Sequence, residues 1–232
     1  MEEKNEVILI DKPLTWTSFD AVKKLKFAGN YKKIGHAGTL DPLATGLLIL
    51  CTGKKTKEID SYQAQEKEYT GSFVLGKTTP SVDLETEFDG EYPIGHIDAT
   101  TLEQTRLTFM GMIEQVPPAH SAVKINGKRA YELARAGKDV EIKKRTVEIK
   151  AFDIDSVNFP EISFRIVCSK GTYIRSIVRD FGLAAGSGAY MNALRRTRIG
   201  EFRVENAQTI EAFVANAKVE KEAILSSNIS VD

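Results

Sequence analysis

The chain is poor in the residues that build metal clusters and disulfide frameworks, and it has no long apolar run. Its 232 residues include 2 cysteines and 3 histidines. No apolar run reaches the roughly 18 residues that a membrane-spanning helix needs, and the N-terminus lacks the pattern of a secretory signal. Cys51 and Cys168 lie far apart inside apolar runs, which predicts buried, reduced thiols. These absences predict a soluble protein of the cytoplasm.

Several common catalytic motifs are missing as well. The sequence contains no GxGxxG, HExxH, CxxC or GxSxG pattern. The run from Gly46 to Lys54 has the wrong spacing for a P-loop, and Lys55 stands where a serine or threonine should follow. We therefore expect no metal and no cofactor. This leaves chemistry by a carboxylate, together with basic and aromatic side chains.

Charge is balanced overall but segregated along the chain. Residues 80–105 hold seven acidic and no basic side chains, whereas residues 120–150 hold nine basic and four acidic ones. Further basic groups are Lys23, Lys24, Lys26, Lys32, Lys33, Lys54, Lys55, Lys57, Arg195, Arg196, Arg198 and Arg203. If several of these groups share one face, the chain can bind a polyanion despite its neutral sum. The alternative is a set of ordinary solvated surfaces.

The stretch most suited to chemistry is GHAGTLDPLATG, residues 35–46, which places His36 and Asp41 among three glycines. Glycine tolerates backbone angles that other residues avoid, and Pro42 biases Asp41 toward an extended conformation. The loop therefore presents the carboxylate from a defined turn, and a fixed carboxylate near a histidine suggests a catalytic site. The alternative is that Asp41 only makes an Asx turn or caps a helix.

Hydrophobic patterning predicts an α+β fold with a mixed sheet in one domain over residues 1–232, with a weakly patterned tail at about 218–232. Strands are predicted at 7–10, 46–53, 69–75, 145–157, 162–168 and 194–204. Helices are predicted at 19–28 with Ser18 as N-cap, 54–65, 101–109 with Thr100 or Thr101 as cap, after Asn126-Gly127, around 173–181, and from Thr209 to about 217. The acidic segment 77–98 is predicted to be a surface loop or small insert.

Short islands of sequence, in a fixed order along the chain, are similar to the TruB family of bacterial tRNA pseudouridine synthases. They lie at residues 11–13, 35–46, 67–69, 118–124, 127–135, 169–175 and 194–196. The string Gly-His-x-Gly-x-Leu-Asp-Pro is the most specific of them. The resemblance implies an enzyme that isomerises the T-loop uridine of tRNA, position 55, to pseudouridine. It also implies a mixed, largely antiparallel sheet with flanking helices and a central RNA-binding cleft.

The same resemblance implies three catalytic residues. Asp41 is expected to be the nucleophile, Arg175 to pair with it, and Tyr69 to stack on the flipped uracil and to be a candidate for handling the C5 proton. Whether attack occurs at C6 of the base or at C1′ of the ribose stays open. The ordinary alternatives are that Arg175 is a surface arginine in the first turn of a helix and that Tyr69 belongs to the core.

Further residues are expected to bind the RNA. By resemblance, His36 contacts the T loop, and Lys12 and Tyr173 line the pocket, although Lys12 could be only a turn residue and Tyr173 only a core residue. Within the basic segment, the candidate RNA contacts are Lys124, Lys128 and Arg129.

The implied partner is the T arm of tRNA, bound by a monomer without a cofactor, a membrane or an obligatory protein partner. No C-terminal PUA domain is expected. The chain departs from the family at Thr15, where glycine is common, and at Thr79-Pro80-Ser81, which replaces a Thr-Asp-Thr segment before Asp83. The alternative functions are a tRNA-binding or tRNA-folding module and a guide-RNA-dependent pseudouridine synthase.

Overall fold

The computed structural model describes residues 4–121, 124–125, 128–129 and 142–229. The α-helices are α1 (Ser18–Gly29), α2 (Ile59–Ala64), α3 (Ala99–Thr108), α4 (Ile174–Ala184) and α5 (Ile210–Ile229), with 3₁₀ helices at Gly53–Glu58 and Val204–Asn206. The strands are β1 (Val7–Lys12), β2 (Ile34–His36), β3 (Ala44–Thr52), β4 (Lys67–Leu75), β5 (Lys77–Thr78), β6 (Gly90–Glu91), β7 (Gly111–Gln115), β8 (Lys124–Ile125), β9 (Lys128–Arg129), β10 (Arg145–Asn158), β11 (Glu161–Cys168), β12 (Ala189–Ile199), β13 (Phe202–Arg203) and β14 (Gln208–Thr209). The helix predicted after Asn126-Gly127 lies outside the described residues.

The chain divides into two compact units. Unit 1 comprises Met1–Gln65 and Arg195–Asp232, and unit 2 comprises Glu66–Leu194. Strand β12 therefore contributes its first residues to unit 2 and its last residues to unit 1. The expectation of a single domain over residues 1–232 stays a prediction.

Strand β3 is the centre of unit 1. It pairs antiparallel with β1 and with β2, and β1 pairs parallel with β14. Leu48 and Leu50 pack with α1 and α5 on one face, whereas Leu47 and Ile49 pack with Ile199 on the other. Because both faces of β3 are covered, its sequence is an unbroken apolar run instead of an alternating one. The predicted buried strand is confirmed.

Helix α1 begins one residue earlier than the sequence predicts. Thr17, and not Ser18, is the N-cap: its hydroxyl accepts from the backbone N–H of Asp20 at 3.0 Å, and the Asp20 carboxylate accepts from the N–H of Thr17 at 3.0 Å. This reciprocal pair is a capping box. At the other end Asn30 adopts a left-handed conformation and closes the helix.

Helix α5 is longer than predicted. The predicted cap is confirmed, because the Thr209 hydroxyl accepts from the N–H of Ala212 at 3.1 Å. The helix then continues to Ile229, so the predicted end at about residue 217 is wrong, whereas the weakly patterned tail at about 218–232 stays a prediction. The sequence 218–229 has no glycine or proline to end a helix. In addition, the Nζ of Lys218 lies 3.9 Å from a carboxylate oxygen of Glu222, one helical turn further on.

Unit 2 is built on antiparallel pairs. Strand β11 pairs with β4 and with β10, and β10 pairs with β7. The predicted strand pair at 145–157 and 162–168 is confirmed. Its core is a cluster of phenyl rings whose neighbouring centroids lie 5.0–6.4 Å apart, formed by Phe73, Phe109, Phe152, Phe164 and Phe181. Strands β4, β10 and β11 and helix α4 are held together by these rings.

Three smaller predictions need correction. Asp98 caps α3 instead of Thr100 or Thr101, because its carboxylate accepts from the N–H of Thr101 at 2.7 Å. The helix predicted over 54–65 is a 3₁₀ helix followed by α2. The acidic segment contains the paired strands β5 and β6, and Ser81 and Asp83 are buried instead of lying on a surface loop.

The predicted fold class is confirmed as α+β, with a mixed and mostly antiparallel sheet. Among the helices that the structure describes, none combines the length and the apolar composition of a membrane span.

Candidate active site

The loop that carries Asp41 connects β2 to β3, and Asp41 itself is half-buried. A backbone turn shapes the loop, since the N–H of Ala44 donates to the carbonyl of Asp41 at 3.0 Å. At the start of the loop, the N–H of Ala37 donates a second backbone hydrogen bond to the carbonyl of Ile49 at 2.8 Å. A strand follows Asp41, so the helix-cap alternative is wrong. The expected turn is present, and Asp41 as a residue is partly exposed to solvent.

The segment before and within α1 fixes the backbone on both sides of Asp41. The Ser18 hydroxyl accepts from the N–H of Leu40 at 2.9 Å and lies 3.2 Å from the carbonyl of Leu40. The N–H of Thr15 donates to the carbonyl of Pro42 at 2.8 Å. Thr15 has φ of 68°, a left-handed value that glycine adopts more readily. The departure at Thr15 therefore keeps the backbone conformation that a glycine would provide.

Lys12 is a fully buried cation next to this loop. Its ammonium donates to the carbonyls of Trp16 at 2.6 Å, Pro13 at 2.9 Å and Pro42 at 3.4 Å. Burial lowers the pKa of Lys12 to about 8, while the charge of Asp41 acts in the opposite direction. Lys12 is thus more than a turn residue: it is the end of β1 and contacts the residue that follows Asp41.

Arg196 is a second buried cation, with 1% of its surface exposed. Its guanidinium donates to the carbonyls of Leu47 at 2.8 Å, Gly38 at 3.2 Å and Thr39 at 3.5 Å. The expectation that Arg196 belongs to a solvent-exposed basic group is therefore wrong. The alternation of a strand gives the missing signal, because Arg196 lies two residues from buried Leu194 and so shares its face.

His36 ends β2 and is half-buried. Burial lowers the pKa of His36, and the nearby charge of Arg196 lowers it further. A hydrogen bond with the backbone of Gly38 acts in the opposite direction and raises this pKa. The ring is therefore neutral at neutral pH and can both donate and accept a hydrogen bond. Unit 1 thus brings together His36, Asp41 and Lys12, three of the predicted site residues. The contact between His36 and RNA stays a prediction.

Arg175 lies in the first turn of α4 and is 4% exposed, so the alternative of a surface arginine is wrong. Its guanidinium donates to the carbonyls of Ser81 at 2.9 Å and His120 at 2.8 Å. Its Nε lies 3.7 Å from a carboxylate oxygen of Asp83, which is also buried. This contact explains why residues 81 and 83 are not on the surface. The expected pair between Arg175 and Asp41 stays a prediction.

Asp83 is a candidate site residue that the sequence analysis missed. Its acidic and polar neighbours in sequence predict a surface position, whereas the structure buries it. The sequence signal for a role of Asp83 is its position shortly after the segment Thr79-Pro80-Ser81, which replaces the Thr-Asp-Thr segment of the TruB family. The charge of Arg175 requires a partner once it is buried, and Asp83 lies in ion-pair range.

Tyr69 lies in β4 opposite Ile166 of β11, and 9% of its surface is exposed. A buried ring fits both a core tyrosine and a platform for a base, so its role stays a prediction.

Tyr173 immediately precedes α4 and is held by its backbone. The side-chain amide of Gln115 accepts from the N–H of Tyr173 at 2.8 Å and donates to its carbonyl at 3.0 Å. The guanidinium of Arg145 lies 5.3 Å from the centroid of the Tyr173 ring. Gln115, which is 1% exposed, therefore positions the segment that leads to Arg175. The sequence alone does not reveal this contact, because 58 positions separate the two partners.

The predicted basic RNA contacts are described only in part. Lys124, Lys128 and Arg129 belong to the short pair β8 and β9, in which Lys124 is opposite Arg129. Their contacts with RNA stay predictions. Across the described ranges, no group of three or more His, Cys, Asp or Glu side chains could hold a metal ion.

Two family models match almost the whole chain. The first is described as the N-terminal domain of TruB family pseudouridylate synthase and matches residues 24–174. The second is the C-terminal domain of tRNA pseudouridylate synthase B and matches residues 175–229. The class of protein is therefore that of the pseudouridylate synthases. Within this class, the chain belongs to the TruB family.

Curated relatives agree with this assignment. The chain is 54% identical to tRNA pseudouridine synthase B of Flavobacterium johnsoniae, over 90% of this chain and 95% of the relative. It is 51% identical to the protein of the same name from Phocaeicola vulgatus, over 91% of this chain and 92% of the relative.

A solved structure has a similar fold. It is a chain from the crystal structure of a Cbf5–Nop10–Gar1 complex, with a TM-score of 0.71 and 31% identity. The match covers 90% of this chain and 53% of the solved chain, so this chain spans about half the length of that structure.

Proposed function

We propose that the chain isomerises the uridine at position 55 in the T loop of tRNA, with Asp41 as the nucleophile. As a member of the TruB family, the chain is an isomerase that converts uridine in tRNA to pseudouridine. The proposal adds the position of the uridine and the roles of individual residues to this activity.

The observation that carries the proposal is how Asp41 is held. The residues on either side, Leu40 and Pro42, are fixed through Ser18 and Lys12, while Asp41 itself is only half-buried. A reactive group is most effective when its backbone is fixed and its side chain can reach the substrate. The Asp41 loop combines these two properties.

The reaction suits a carboxylate without a cofactor. Isomerisation breaks the bond between C1′ and N1 and forms one between C1′ and C5; C5 loses a proton and N1 gains one. No electrons are gained or lost overall. An ionised carboxylate needs no general base to act as a nucleophile. Attack at C6 or at C1′ is compatible with this balance.

Arg175 and Tyr69 complete the proposal. A charge pair at about 4 Å is worth about 4 kcal/mol at an effective dielectric constant of 20, before desolvation, which is enough for a paired Arg175 to orient the Asp41 carboxylate. Flipping a base costs a few kcal/mol, and stacking on an aromatic ring returns about 1–3 kcal/mol. Stacking on Tyr69 offsets much of the cost of flipping, and other contacts supply the rest.

The test is Asp41→Asn, assayed on an unmodified tRNA transcript by mass-tagged mapping of pseudouridine. We expect no conversion at position 55, because the amide is a poor nucleophile, and tRNA affinity within about threefold of the wild type, a ratio worth less than 1 kcal/mol. Asp155→Asn, which changes an exposed carboxylate in β10, is the matched control and should keep full conversion. Conversion by the Asp41→Asn variant would refute the role of Asp41.

The same assay separates the alternatives. We propose a monomer that acts without an obligatory protein partner or guide RNA. The solved chain with the similar fold comes from a complex with two other proteins, which favours a partner-dependent enzyme as the second candidate. Conversion by the purified chain alone supports the first; inactivity that is relieved only by a guide RNA or a partner supports the second. A tRNA-folding module would bind tRNA and convert none.

A further inference from the structure

The solvent side of α1 carries two large aromatic side chains. Phe19 is 69% exposed and Phe27 is 71% exposed. The opposite side of the helix, with Ala21, Val22 and Leu25, is buried in the core of unit 1. A surface helix normally turns polar side chains toward water. Packing within the described residues therefore does not explain the two exposed rings.

Lysines lie between these rings. Phe19, Lys23, Lys26 and Phe27 follow each other at helical spacing, which places them along one side of α1. Both lysines are exposed, and neither forms an ion pair with another residue in the part of the chain that the structure describes. The nearby acid Asp20 is engaged in the N-terminal cap. Asp20 attracts Lys23, but α1 contains three lysines and this one acid, so the helix keeps a net positive charge.

Two further segments with exposed lysines, Lys32-Lys33 and Lys54, lie next to each other. The carbonyl of Lys33 accepts from the N–H of Gly53 at 3.0 Å, and Ile34 is paired with Thr52. The segment that ends at Lys33 therefore lies beside the start of the 3₁₀ helix at Gly53–Glu58. The basic–aromatic surface is defined as the exposed residues Phe19, Lys23, Lys26 and Phe27 of α1.

The basic–aromatic surface starts at the Asp41 loop. Ser18, the first residue of α1, contacts Leu40, which precedes Asp41. The 12 residues of α1 extend about 18 Å from this point, at about 1.5 Å per residue. A tRNA whose uridine reaches Asp41 therefore has neighbouring nucleotides within reach of α1.

We propose that the basic–aromatic surface binds the phosphate backbone and an unpaired base of the tRNA next to the reacting nucleotide. The proposal rests on the proposed function and adds a second binding region to it. Free lysines neutralise phosphates, and exposed aromatic rings stack on bases without regard to sequence. Phe19, at the end of α1 near Asp41, stacks on the base. A second copy of this chain fits less well, because it would bring two sets of unpaired lysines together.

The test measures tRNA binding in the Asp41→Asn background, so that no turnover occurs. Anisotropy titrations with an unmodified, labelled tRNA transcript are made between 50 and 200 mM salt. We expect Lys23→Gln with Lys26→Gln to weaken binding about tenfold at 150 mM salt and to lower the slope of log affinity against log salt by about 1.5. Phe19→Ala should weaken binding about tenfold with little change in this slope, because stacking releases no counterions.

A matched control removes the same charge elsewhere. Lys4 and Lys77 are also exposed, but they are paired with Glu220 at 2.7 Å and Glu91 at 3.1 Å. Lys4→Gln with Lys77→Gln should change the affinity less than about threefold, since paired lysines neutralise few phosphates. Equal losses in the two double variants would overturn the proposal, because net charge alone would then explain them.

The remaining outcomes are also decisive. Unchanged tRNA binding by the α1 variants overturns the proposal, and a shift to a smaller species on size exclusion would then assign the surface to a second copy of the chain. Conversion of tRNA by the wild type is measured separately. If the wild type converts no uridine, the proposed function fails; if it converts uridine but the α1 variants bind tRNA normally, only this inference fails.

Discussion

At the scale of single residues, the notable feature is that two buried cations bind backbone carbonyls instead of carboxylates. Lys12 and Arg196 each donate to three carbonyls in or near the Asp41 loop. Isolated buried charges cost several kcal/mol, so these hydrogen bonds are needed to keep the cations in place. Lys12 also interacts electrostatically with Asp41, and the two cations together bring positive charge to the loop, which suits an anionic substrate.

The first residue-scale prediction concerns Arg196→Lys. A lysine carries one compact ammonium and cannot reach Leu47, Gly38 and Thr39 together, so carbonyls are left without donors. We expect a loss of about 2–3 kcal/mol in the free energy of unfolding in urea, and a lower rate of tRNA conversion at saturating tRNA.

Its matched control is Arg195→Lys. Arg195 is more exposed and pairs with Asp11 at 2.7 Å, so this change should cost less than about 1 kcal/mol. Similar effects of the two substitutions would show that the buried hydrogen bonds of Arg196 do not stabilise the loop.

The sequence predicts some site residues and not others for a clear physical reason. Asp41 and His36 stand out because glycines and a proline surround them locally. Asp83, Gln115 and Arg196 do not, because their roles depend on partners far along the chain: Arg175 and the carbonyl of Ser81 are 94 positions apart. Local patterns report on turns and periodicity, whereas such contacts depend on how the strands pair.

At the scale of elements, β3 and β12 approach each other at an unusually close point. Gly46 has φ of 103°, and a Cβ atom added there would lie 2.3 Å from the carbonyl oxygen of Arg196. Two independent reasons therefore require glycine at this position: the positive φ angle, and the lack of space for a side chain next to β12. The same approach brings the Arg196 side chain to the Asp41 loop.

The element-scale prediction is that Gly46→Ala is severely destabilising. The new methyl group would clash with the backbone of β12, which cannot move aside as a flexible side chain could. We expect a loss of at least about 3 kcal/mol in the free energy of unfolding, measured by urea denaturation followed by circular dichroism. In Gly95→Ala, no atom lies within 4 Å of the new carbon, so that variant should stay within about 1 kcal/mol of the wild type. A stable Gly46→Ala protein would contradict the close approach.

Sequence patterns predict the existence of elements better than their ends. The buried strand β3 and the pair β10 and β11 follow from apolar runs and alternation. The cap of α1 shifts from Ser18 to Thr17 because adjacent residues can both cap, and only the bond to Asp20 decides between them. The end of α5 is missed because its last turns carry too weak an apolar pattern to predict a helix.

At the scale of the whole molecule, each unit contains one buried thiol. Cys51 is in unit 1 and Cys168 is in unit 2, and both are free, as predicted. Burial raises the pKa of Cys51 to about 11 and that of Cys168 to about 12. Since the thiolate is the reactive form, both thiols are protonated and unreactive at pH 8 in the folded chain.

The whole-molecule prediction follows from these thiols. We expect no reaction with a disulfide reagent at pH 8 in the native protein, and two thiols to react once the chain is unfolded in urea. The variants Cys51→Ala and Cys168→Ala each keep one thiol, so they show whether a reaction with the disulfide reagent comes from unit 1 or from unit 2. Rapid labelling of either thiol in native buffer would contradict its burial.

Because Arg196 contacts a carbonyl 149 positions earlier in the chain, the Asp41 loop cannot be completed early in protein synthesis. At about 5–20 residues per second, a ribosome needs about 7–30 s to proceed from Leu47 to Arg196. During this time the nascent chain already contains the aspartate but not the arginine that fixes its loop. The Asp41 loop therefore reaches its final conformation only after Arg196 has been synthesised, whereas all residues of Glu66–Leu194 are synthesised before that point.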